Sequence, residues 1–129
     1  MATYLVPPNR VTLTSGADLS GSLYRLVVLN TSNQVVLPGA AGADCIGVLD
    51  DLGPGNGASG SPVTVIIGGG AKLEANAAIS VGADLVAGAT TGRAATAATT
   101  GHRRIGKAYE AAGAQGDIIS VIIDRDGAV

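Results

Sequence analysis

Phenylalanine and tryptophan are absent from this 129-residue chain, and Tyr4, Tyr24 and Tyr109 are its only aromatic side chains. Large aromatics usually carry much of the buried area in a core. The core must therefore be built from Val, Ile and Leu, with Ala filling in. Hydrophobic residues make up 47% of the chain, but twenty glycines raise the entropic cost of ordering the backbone. Such a core is thin, and it points to stability borrowed from partner chains. Charge is scarce as well. Only 14% of residues are charged and the net charge is −2, against about 25–35% charged residues on a typical soluble surface. Part of the surface is expected to be covered. No basic excess exists to serve as a nucleic-acid footprint.

One cysteine, Cys45, excludes an intramolecular disulfide, and its place beside Ile46 in an apolar run predicts a buried free thiol. The opening "MATYLVPPNR" lacks the charged region and apolar run of a secretory leader, so none is expected. No stretch approaches the roughly 18 apolar residues of a membrane helix, and no membrane partner is expected.

Catalytic patterns are missing too. His102 is the only histidine, in "TTGHRRIG", with no acid beside it to orient the ring. A dyad of Cys45 and His102 is conceivable only through the fold. "IIGGGAKLEA" lacks the order and following helix of a phosphate loop. "DRDGAV" opens like a calcium loop without the remaining ligands. Asp50-Asp51 reads as a solvated turn. No catalytic residue, metal ligand or cofactor site is expected, and the chain reads as a non-enzyme. Arg103-Arg104 either contacts an acidic neighbour or stands solvated in its loop.

What is present is short strands, twice over. "SPVTVIIGG" (Ser61–Gly69) is echoed by "GDIISVIID" (Gly116–Asp124), and the Ile-Gly pair at 46–47 returns at 105–106. Alternation and turn residues predict strands at Arg10–Thr14, Leu23–Leu29, Gln34–Leu37, Cys45–Leu49, Val63–Ile67, Leu85–Val86, Ile105–Glu110 and Ile118–Ile123. A further short strand is predicted at Ala71–Ala75, a weak one in "TTGRAATAA", and a flexible loop at 52–61. The expected fold is all-β: a compact β-sandwich or barrel built from two related β units, with an extended N-terminal arm. The arm covers 1–10 and a single β domain covers 11–129, with repeat-like halves at about 11–70 and 71–124. Pro7-Pro8 forbids helix in the arm. Tyr4, Leu5 and Val6 have no slot in the repeat and are candidate partner contacts, as are Arg103 and Arg104; a frayed terminus is the plainer alternative for the arm.

"VTLTSGADLSGSLYRLVVL", "CIGVLDD", "AAISVGADLVAGATTGRAATA" and "RIGKAYEAAGAQGDIISVIID" together resemble the capsid-cement (head decoration) proteins of tailed bacteriophages. The resemblance runs from about Arg10 to Asp124, and most of it lies in 77–123. It implies a structural protein on the outer surface of the virion. Such a protein would bind the major capsid protein, bridge neighbouring capsomers and associate with itself as a homotrimer. The alternative is a β-sandwich carrier or binding module without its own catalysis. Lys72 in "GAKLE" and Lys107 in "IGKAYEAA" do not match the hairpin that carries a modified lysine.

Overall fold

The structure, a computed structural model, describes residues 7–125. The arm residues Tyr4, Leu5 and Val6 lie outside that range. Nine strands and no helix occur among the described residues: β1 Asn9–Ser15, β2 Leu26–Leu29, β3 Gln34–Val36, β4 Gly47–Asp51, β5 Pro62–Glu74, β6 Asp84–Ala87, β7 Ala94–Thr96, β8 Gly106–Ala108 and β9 Ile118–Ile123.

The strands pair in the order β1-β3-β2-β4-β5-β9-β8-β6-β7, and β1 also pairs with β5. That extra pairing closes β1, β3, β2, β4 and β5 into a five-stranded barrel, which removes the edges a short sheet would expose. β1 shows how its sequence serves the closure. Val11 and Leu13 pack against the barrel core while Thr12 and Thr14 face outward, as period-two alternation requires.

The remaining strands repeat the same plan. β5 continues past the barrel and pairs through Gly69–Glu74 with β9. From there β9 pairs with β8, β8 with β6 and β6 with β7. A single parallel bridge, Ala75 to Ala94, stands where the barrel has its parallel β1–β3 pairing, Ser15 to Val35. The registers match as well as the order. Val48 faces Ile66 and Leu49 faces Val65 in the first half; Lys107 faces Ile122 and Ala108 faces Val121 in the second. The "VTVII" and "ISVII" segments therefore occupy equivalent places, and so do the two Ile-Gly pairs.

The core follows the repeat. Leu19, Val27, Val35, Leu49, Val63 and Val65 fill the barrel. Their counterparts Ile79, Leu85, Ala94, Ala108, Ile119 and Val121 belong to the second, larger cluster. That cluster also takes in Leu26, Val48 and Ile66, which are aligned across β2, β4 and β5. These three join the barrel to the second-half cluster, so neither half is packed without the other.

Several expected boundaries move for local reasons. β2 begins at Leu26 rather than Leu23, because Tyr24 takes a left-handed backbone (φ 63°), as its counterpart Gly82 does (φ 83°). β8 ends at Ala108, well short of Glu110. The separate strand expected at Ala71–Ala75 is the continuation of β5. "GGG" at 68–70 does not stop the strand; Gly69 turns it with a left-handed φ of 78° and packs against the Pro7 backbone. The boundary drawn between Gly70 and Ala71 thus falls inside a strand that serves both halves.

Candidate interaction surface

Two equivalent loops meet where the halves join. One runs from β3 to β4 and carries Asp44; the other runs from β7 to β8 and carries His102, Arg103 and Arg104. Both turn on a left-handed glycine, Gly42 (φ 73°) and Gly101 (φ 90°). They are locked face to face. The Arg103 amide donates to the Gly42 carbonyl at 3.0 Å, and the Gly42 amide donates to the Ala87 carbonyl at 2.7 Å. Gly42 has no room for a side chain, because His102 fills the space its Cβ would take.

Between them lies a cleft of about 320 Å³ lined by Asp44, Arg103, Arg104 and Arg125. Arg125 follows β9 and pairs with Asp44 at 3.0 Å. Arg104 lies 3.7 Å from Asp84 through its Nε, which is buried and makes no hydrogen bond among the described residues. Arg103 is exposed. The structure thus brings the two expected arginines to one site and adds Arg125 and Asp44, which come from 81 residues apart. Sequence reading missed those two because nothing local links them. Aligning the halves would have pointed there: Arg103-Arg104 falls on Asp44-Cys45, a reversal of charge between otherwise similar copies.

A smaller cavity of about 110 Å³ is lined by Asp84, Gly106, Lys107, Tyr109, Ile122 and Asp124. Lys107 donates to Asp84 at 2.7 Å. That hydrogen bond holds the Asp84 carboxyl below the usual carboxylate range, with the charges of Lys107 and Arg104 acting the same way against some desolvation. Lys107 is thereby engaged within β8. Lys72 sits in β5 with its ammonium 5.9 Å from the centre of the Tyr24 ring. Neither lysine stands at a hairpin tip, so the geometry does not favour the carrier alternative. Among the described residues no three His, Cys, Asp or Glu side chains gather as metal ligands.

Cys45 is buried beside the cleft. Burial pushes its thiol up to about 12, with Asp44 raising it further and Arg125 opposing. A nucleophilic cysteine needs the reverse shift, so this environment disarms the Cys45/His102 pairing. The linkage follows directly. The folded thiol titrates above the unfolded one, so its contribution to stability is full below the ordinary thiol value of 9.0 and is lost as pH rises toward 12. Urea midpoints from pH 8 to 11 are expected to fall more steeply for the native chain than for Cys45→Ala. Parallel profiles would show that the thiol ionises equally in both states.

Comparisons with known proteins bear on what this surface serves. The sequence model of a family described as phage cement protein matches residues 27–123, from the second residue of β2 to the end of β9. A solved structure, the N base of head fiber gp8.5 in bacteriophage phi29, is similar with a TM-score of 0.60 and 21% identity, covering 92% of this chain and 98% of that one. At that identity the likeness speaks for the fold. No curated protein matches the sequence.

Proposed function

Because this chain belongs to the phage cement protein family, we propose that its structural role in the phage capsid is to bind the outer surface of the shell and bridge neighbouring capsomers. The family match carries this reading. The fold is consistent with it: a closed barrel extended by a second set of strands offers surface for contact, and holding capsomers together requires area and linked contacts rather than reactive groups. We extend the proposal to a homotrimer that contacts the major capsid protein. Val81 and Tyr109 are 66% and 55% exposed. The Gly82 amide, bonded to the Ala108 carbonyl at 2.7 Å, brings their backbones together. A shell or a sister chain would cover these two exposed side chains.

The test is cosedimentation with purified shells assembled without this protein. Saturable binding and a higher melting temperature of the decorated shells are expected. No binding, with unchanged shell melting, would overturn the reading.

Tyr4, Leu5 and Val6 are proposed as a second contact. Burying large apolar side chains is worth roughly 1.5–3 kcal/mol each, and prolines lower the entropy lost when such a segment is ordered. Deleting residues 2–6 is expected to leave the circular dichroism spectrum unchanged while lowering shell affinity at least tenfold. Equal affinity and equal trimer melting would make the segment a bystander.

A further inference from the structure

The cleft between the two loops has a chemistry its surroundings do not share. The chain as a whole is acidic by two charges, yet three guanidinium groups and one carboxylate line this site. Two of the arginines have partners of their own. Arg125 is paired with Asp44, and Arg104 approaches Asp84, which Lys107 already engages. Arg103 has no ion-pair partner among the described residues. The Arg104 Nε is buried without an acceptor.

We infer that this cleft is the socket for a carboxylate-bearing segment of a partner protein. The inference rests on the shell-binding reading above and names the chemistry of its contact. Guanidinium forks receive carboxylates in pairs of parallel hydrogen bonds, and Arg103 is free to offer one. The site is preorganised, because the bond from the Arg103 amide to Gly42 and the packing of His102 on Gly42 fix the loop that presents it. Its volume of about 320 Å³ is that of on the order of ten water molecules. One or two acidic side chains fit. Asp84 and Asp124 line the adjoining cavity, and together with Asp44 they would repel an extended polyanion.

Arg103 is the residue to change, since its side chain is exposed and makes no ion pair among the described residues, while its bond to Gly42 is a backbone one that substitution keeps. Arg103→Glu and Arg103→Lys are expected to melt at the native temperature. In the native protein, the arginine Nε–H resonances of residues 103, 104 and 125 are expected to shift on titration with an end-capped Gly-Glu-Glu-Gly peptide, and not with a thymidine trinucleotide of equal charge. R103E is expected to lose at least tenfold in affinity for both the peptide and the shells, with R103K in between, and sodium chloride to weaken the native interaction. If R103E binds shells as the native protein does, the socket is wrong and the shell-binding reading stands. If the native protein ignores the shells but takes the peptide through Arg103, the shell-binding reading fails and the socket is supported. An oligonucleotide that binds better than the peptide, or a peptide that shifts none of the three arginines, overturns the proposal.

Discussion

Replacing Gly47 or Gly106 with alanine is expected to destabilise the protein by about 3 kcal/mol at each site, the upper part of the range for overpacking a core. The sign is not the obvious one. Glycine inside a strand is ordinarily about 0.5–1 kcal/mol worse than alanine, because it has more freedom to lose. Here space decides. Neither glycine has a left-handed backbone, so alanine fits the dihedral angles. What it meets is the neighbouring main chain. A Cβ at Gly47 would run into the carbonyl oxygen of Ile66, and one at Gly106 into that of Ile122, both far inside the 3.0 Å that real Cβ atoms respect. A backbone carbonyl held in a ladder cannot swing aside as a side-chain tip can. The strands would have to separate near the pairs Val48–Ile66 and Lys107–Ile122. The neighbours crowded at one site are not those crowded at the other, so the two losses should add. Their sum of about 6 kcal/mol is comparable with the whole stability of many domains, about 5–15 kcal/mol. Urea titrations of the two single variants and the double variant check this. Midpoints at or above the native value would show that the strands yield easily at these points.

The same glycines explain why the repeat was legible. Ile46-Gly47 and Ile105-Gly106 recur because close strand approach excludes every other residue at the second position. Val65 and Val121 recur because a buried strand face selects branched side chains. Both constraints act on one residue at a time, so they leave a mark in the sequence. The length of β5 did not. "GGG" carries the signature of a chain break, and the pairing of Gly69 and Gly70 with Ile123 and Ile122 of β9 carries the strand through it. The interaction surface was half legible. Arg103 and Arg104 stand adjacent and draw notice, whereas Asp44 and Arg125 join them only because the two loops and the end of β9 converge.

Replacing Glu74 with alanine is expected to lower stability by about 3 kcal/mol and the melting temperature by about 10 °C, at a few degrees per kcal/mol for a chain of this size. Glu74 ends β5, the strand common to both halves. One carboxylate oxygen accepts from Arg25 at 3.4 Å and the other from Arg93. Arg25 precedes β2 of the barrel, and Arg93 precedes β7 of the second half. The three side chains are 13%, 17% and 25% exposed. That sets them apart from Arg125–Asp44, at 42% and 60%, where solvent leaves an ion pair worth little. Truncation would strand two guanidinium groups facing each other in a half-buried space. The penalty comes from those unpaired charges more than from the attraction lost. The two sources separate experimentally. If charge burial dominates, Arg25→Met and Arg93→Met added to Glu74→Ala should recover most of the stability, because apolar residues fill such a site without desolvating any charge. The effect of the single change should also persist in 1 M sodium chloride, since buried charges are screened far less than exposed ones. A loss below about 1 kcal/mol, or one that vanishes in salt, would place this triad with the surface pairs and leave the joining of the halves to the packing of Leu26, Val48 and Ile66 and to the backbone bonds between their loops.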